Sequence, residues 1–148
     1  MIRTKKSMRL CTTLLLLNLL FIWGNSLLPG SLSAAFSNWV KSFVPGQSSG
    51  GSNSLRKLAH FTEFTTLGMC LYWLFAMLNA KKARRFIQPF LSGAAVACID
   101  ETIQLFIPDR GPSIKDVGID LLGTLLGIVF ISLIYFFKNK QSNSLEET

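Results

Sequence analysis

Three short stretches of the chain hold side chains that can move protons, bind cations or grip anions. KLAHFTE (57–63) sets Lys57, His60 and Glu63 at i, i+3 and i+6. DETIQ (100–104) puts Asp100 beside Glu101, with Gln104 four and three residues on. DRGPSIKDVGID (109–120) supplies Arg110, Asp116 and Asp120. Residues 100–120 alone hold five of the eight acidic residues, Asp100, Glu101, Asp109, Asp116 and Asp120.

His60 is the single histidine. Beside carboxylates it is a candidate general base or metal ligand. Glu63, Asp100, Glu101 and Asp120 are the carboxylates that can share such work. Lys57, Gln104, Arg110 and Asp116 are candidate binding groups, Arg110 for a phosphate or carboxylate. His60 and Glu63, facing further carboxylates, can hold a divalent cation, although the donors are not a diagnostic set.

Some chemistries are excluded. One histidine rules out mechanisms that need two, including that of the phosphatidate-phosphatase type of membrane phosphatase. No nucleophile-elbow motif supports a serine triad. The glycine pair of VPGQSSGGSNS (44–54) lacks the lysine and spacing of a Walker motif. A plainer reading competes with all of these: Arg110, Lys57 and Lys115 neutralise Asp116, Glu63 and Asp120 and tie helix ends together. That accounts for single pairs better than for the whole set.

The elements that must position these groups are apolar. Of 148 residues, 49% are hydrophobic, and they fall in four blocks near residues 10–28, 58–80, 86–107 and 117–137. Each approaches the ~20 residues that cross a bilayer. The expected fold is an all-α membrane protein of four transmembrane helices forming a single domain over 1–148. The apolar core of the first block exceeds that of a signal peptide, so a retained span is favoured over cleavage near Ala34 and Ala35.

The net charge of +7 does not indicate nucleic acid, because of where the charges lie. Arg3, Lys5, Lys6 and Arg9 precede the first block, Lys81, Lys82, Arg84 and Arg85 separate the second from the third, and Lys138 and Lys140 follow the fourth. These are ten of the 15 basic residues and lie on one side, which makes both termini cytoplasmic. The three motifs then meet near the outer membrane surface.

In the first outer loop, Leu32, Ala35, Phe36, Trp39, Val40 and Phe43 recur at helical spacing and predict a short amphipathic interfacial helix. A flexible linker follows at 44–54. Pro108, Gly111 and Pro112 predict a tight turn in the second outer loop, making the third and fourth spans antiparallel neighbours. On the fourth span, Asp116, Asp120, Gly123 and Gly127 form one stripe, and Gly123 and Gly127 make a GxxxG that permits close helix contact. Cys11, Cys70 and Cys98 lie inside spans without metal-ligand spacing and read as buried thiols.

KLAHFTEFTTLG (57–68) followed by DETIQLFIPDRGPSIKDVGIDLLGTLLG (100–127) resembles the VanZ-like family, named for the teicoplanin-resistance protein VanZ. The matching positions are Lys57, His60, Glu63, Asp100, Glu101, Gln104, Arg110, Asp116, Gly123 and Gly127. Asp120 stands where the family usually has Asn, and Asp109 where it has Gly before the Arg. The resemblance implies a multi-pass protein of the bacterial cell membrane, linked in some members to low-level teicoplanin resistance. The expected partners are the lipid bilayer and a lipid-linked or amphiphilic envelope molecule, bound or acted on at the outer leaflet. A noncatalytic modulator of antibiotic access or of an envelope partner is the second reading. A small proton-coupled exporter ranks third, because it would need an ionisable group near the midplane.

Overall fold

The computed structural model describes residues 4–42, 52–78, 81–111 and 113–146. It consists of five α-helices: α1 Lys5–Ser26, α2 Gly30–Ser42, α3 Ser52–Met77, α4 Lys82–Gln104 and α5 Ile114–Glu146. The described residues contain no strand.

Thr4 starts α1 with a capping box: its hydroxyl accepts the Ser7 N–H at 3.0 Å, and the Ser7 hydroxyl accepts the Thr4 N–H at 3.1 Å. The amphipathic segment is helical as the periodicity predicts. Phe36 and Trp39 of α2 stack with centroids 5.8 Å apart and lie largely exposed. Phe43 and most of the expected linker, residues 43–51, lie outside the described residues, as does Pro112. The linker ends earlier than its composition suggests, because residues 52–54 already belong to α3.

Two helices are long and apolar enough to cross a membrane, α1 and the Ile114–Lys138 part of α5. The other two expected spans are helical, and at 26 and 23 residues α3 and α4 have the length. They fall short in apolarity because they carry the charged motifs. Leu16, Leu17, Leu20 and Phe21 of α1 and Leu122 and Phe136 of α5 are exposed, an outward apolar surface of the kind lipid covers.

α5 packs on α3 with almost no side chain between the two backbones. A Cβ added to Gly127 would collide with the Thr65 carbonyl oxygen, one on Gly123 would come within 2.6 Å of the Phe61 carbonyl oxygen, and one on Gly68 would collide with the Thr124 carbonyl oxygen. The GxxxG stripe therefore does what its spacing implies, with a third glycine from α3 completing the seam. α4 packs against α3 and α5, and α1 against α3 and α4. Ile22, Phe64, Leu67, Leu71 and Ala97 form the buried core among these helices. The region near Ala34 and Ala35 lies inside α2, and Ile22 of α1 is fully buried, so α1 is part of the packed structure.

Candidate functional site

The last turn of α1, the first half of α3, the last turn of α4, the following loop and the first turns of α5 meet at one end of the bundle. Their polar side chains turn inward. His60, Glu63, Asp100, Glu101, Gln104, Arg110, Asp116 and Asp120 are all buried, and Asp100 and Asp120 have no exposed surface. Eight of the nine residues expected from the sequence are thus gathered. Lys57 is the exception: it is exposed on the outside of α3 and joins only a small cleft beside Arg56, His60 and Asp116.

At the centre, His60 Nδ1 faces Asp100 Oδ2 at 3.8 Å and Asp120 Oδ1 at 3.7 Å. Asp100 is held rigidly. The Ser26 hydroxyl donates to its Oδ1 at 2.5 Å and Gln104 Nε2 donates to its Oδ2 at 2.8 Å. Gln104 also donates to the Ser26 hydroxyl at 3.3 Å, so α1 and α4 share one network. Asp120 differs. Neither of its carboxylate oxygens, nor His60 Nδ1, has a hydrogen-bond partner among the described residues.

Three groups flank this centre. Glu63 turns toward α1, where Asn25 Nδ2 donates to its Oε1 at 3.0 Å, while Oε2 is buried without a partner among the described residues. Asn18 Nδ2 donates to the Glu63 backbone carbonyl at 3.3 Å. Glu101 accepts the Ser113 N–H at 2.7 Å, which pins the loop to α4. Asp116 pairs with Arg56 at 3.0 Å. The plainer reading set Arg110 against Asp116, Lys57 against Glu63 and Lys115 against Asp120; the first two pairs do not form, and Asp120 has no hydrogen-bond partner among the described residues. The structure assigns Asp116 and Glu63 instead to Arg56 and Asn25, because residue 56 lies on the inward face of α3 where Lys57 does not.

Arg110 enters from the loop. Its Nη1 donates to the Ser26 carbonyl at 3.4 Å, leaving Nε and Nη2 buried without partners among the described residues. Burial, then the nearby Arg56, pulls its pKa below the ordinary arginine value, against the raising pull of Asp100, Glu63 and Glu101. An arginine remains a cation under such a shift. Asp109, just before it, has φ 59°, the left-handed region. That explains why a relative would carry Gly there; Asp is among the residues that tolerate this conformation. The Asp109 backbone also sits on Gly30, whose N–H donates to the Pro108 carbonyl at 3.2 Å, so the turn is packed against α2.

An apolar groove of about 650 Å³ runs between α1, α2 and α3, past Leu20, Phe21, Phe36, Leu55 and Leu58. Asn25 and Glu63 also line it, which joins the groove to the edge of the polar cluster.

The sequence reading missed Asn25, Ser26 and Arg56. A signal existed for Asn25. Asn18 and Asn25 are seven residues apart on one face of an otherwise apolar helix, and polar groups there normally face a partner. Arg56 had no such mark.

Together the apolar helices and the buried cluster define a helical membrane protein with an internal polar site. The family model described as VanZ/LLP1 matches residues 8–135, and the chain belongs to the VanZ-like family. No curated protein and no solved structure gives a significant match.

Proposed function

We propose that the cluster binds or acts on an amphiphilic molecule of the cell envelope at the outer leaflet, with the chain crossing the membrane four times and both termini cytoplasmic. The observation that carries this is the junction of the apolar groove with the buried polar groups at Glu63 and Asn25. A lipid chain fits the groove, and an anionic headgroup beside it meets Arg110 Nε and Nη2, the two nitrogens without a partner among the described residues. His60, Glu63, Asp100 and Asp120 are then placed to exchange protons with it. Lys81, Lys82, Arg84 and Arg85 at the α3–α4 junction, with the basic residues at the start of α1 and near the end of α5, support the orientation.

By family resemblance the phenotype to test is glycopeptide resistance. The chain is expressed in a teicoplanin-susceptible host, and His60→Ala, Glu63→Gln and Arg110→Gln are compared with wild type at equal membrane abundance. Protection is expected to fall in all three. Full protection in all three would sink the proposal.

A second reading rests on α2. Its stacked, exposed Phe36 and Trp39 suit a headgroup-level anchor of a noncatalytic protein that alters antibiotic access. In that case Phe36→Ser with Trp39→Ser abolishes protection while the polar variants keep it.

A further inference from the structure

His60, Asp100 and Asp120 come from three helices and offer ligand atoms that all lie within 4.8 Å of one another. They aim at one point without touching. The His60 Nδ1 separations of 3.7 and 3.8 Å are too long for N–H···O hydrogen bonds, which are lost by about 3.6 Å. They are close to the ~3.4 Å expected between two ligands at a tetrahedral angle around an ion bonded at about 2.1 Å. Small side-chain rotations close the remainder.

Two further observations point to a ligand. His60 is 4% exposed, Asp120 is 0% exposed, and the atoms they turn to the centre have no hydrogen-bond partner among the described residues. Buried polar atoms of this kind are rare and call for a counterpart. Asp100 is oriented by Ser26 and Gln104 in the manner of a metal ligand fixed by an outer shell. Charge favours a cation as well. Glu63, Asp100, Glu101, Asp116 and Asp120 are buried carboxyl groups, whereas Arg56 and Arg110 are the cations described among them.

We infer that His60, Asp100 and Asp120 bind a divalent transition-metal ion, Zn²⁺ by preference, with a fourth position left for a ligand. One imidazole with two carboxylates suits Zn²⁺ or Mn²⁺, whereas Ca²⁺ and Mg²⁺ favour oxygen ligands in larger number. Three protein ligands with one open position are the pattern of zinc sites that meet a substrate. The inference rests on the cluster being the functional site and names the ion that would bring an anionic headgroup to it.

The test uses the full chain in detergent, stripped with a chelator and titrated with Co²⁺ as a Zn²⁺ substitute, followed by Zn²⁺ in competition. One Co²⁺ per chain is expected, displaced by Zn²⁺, with the visible absorption of nitrogen and oxygen ligation and no thiolate charge-transfer band. The last point separates this site from Cys11, Cys70 and Cys98, the last of which is exposed rather than buried as the sequence suggests. His60→Gln and Asp120→Asn should weaken binding by about 100-fold or more, and Ser26→Ala, which removes only an outer-shell bond, by about 10-fold. Helicity and elution volume are measured on every variant. Absence of a stoichiometric ion in wild type, or a thiolate spectrum, overturns the inference without any variant. So does unchanged binding in folded His60→Gln and Asp120→Asn. An ion that binds as expected beside an unaltered glycopeptide phenotype retires the amphiphile proposal alone. A phenotype that depends on Glu63 and Arg110 in a chain that takes no ion retires the ion alone.

Discussion

Gly127→Ala and Gly118→Ala make the same chemical change on one helix, and the structure gives them opposite signs. Both residues lie within α5. In a helix interior, replacing Gly by Ala gains about 1 kcal/mol from backbone entropy. At Gly118 nothing lies within 4 Å of the new Cβ, so the gain should appear in full. At Gly127 the new Cβ would collide with the Thr65 carbonyl oxygen and lie 2.9 Å from the Thr65 carbonyl carbon and 3.0 Å from Met69 N. All three atoms are α3 backbone and cannot rotate aside, so α5 must move away. Overpacking of this kind costs typically 1–3 kcal/mol, and an unyielding neighbour puts it at the upper end. After subtracting the helix gain, Gly127→Ala should destabilise by about 2 kcal/mol, leaving the two variants about 3 kcal/mol apart. Thermal unfolding of purified protein in one detergent, followed by circular dichroism, ranks them against wild type. Gly127→Ala melting at or above wild type would refute the backbone-to-backbone seam and the placement of Asp120 that depends on it.

Three other outcomes follow from single contacts. Asp109→Gly should stabilise the turn by about 1 kcal/mol, because only the side chain makes φ 59° costly; a lowered melting temperature would show that the Asp side chain has a role of its own. Arg56→Gln leaves Asp116 without its cation and should destabilise by about 1–3 kcal/mol, between the exposed and buried extremes, given side-chain exposures of 23% and 10%. A double-mutant cycle with Asp116→Asn should recover much of that loss, and strict additivity would mean the pair is not coupled. Asn25→Ala removes the donor to Glu63 Oε1 and should cost about 1–2 kcal/mol, and under the proposed function it should also reduce teicoplanin protection; loss of neither would detach α1 from the site.

Legibility in the sequence followed the range of each signal. Periodicity located α2 and the polar faces of α3, α4 and α5, because an i, i+3, i+4 pattern lies within one helix. The same arithmetic placed Gly123 and Gly127 on the stripe that meets α3. Pairings between helices were out of reach. Lys57, Arg110 and Lys115 were the candidate partners for the acids, and nothing local points to Arg56 instead. The choice depends on how α3 is rotated, and that rotation is set by Gly68, Gly123 and Gly127 at the seam. Ser26 was invisible for a related reason. A serine ending an apolar helix looks like a helix terminus until α4 brings Asp100 to it. The departure at Asp109 became intelligible only with its backbone angle known.

The hydrogen bond between Ser26 and Asp100 joins residues 74 positions apart. During membrane insertion α1 enters long before its partner exists. α1 is apolar enough to enter alone, with Asn18, Asn25 and Ser26 awaiting partners. In the four-span topology proposed above α4 has no such independence, since carboxylates such as Asp100 and Glu101 are costly in lipid until paired. Its stable entry depends on Ser26 already being in place and on Asp120 and the loop that follow it. The polar cluster is therefore the final step of assembly, and a ligand held there would act as the latch that closes the bundle.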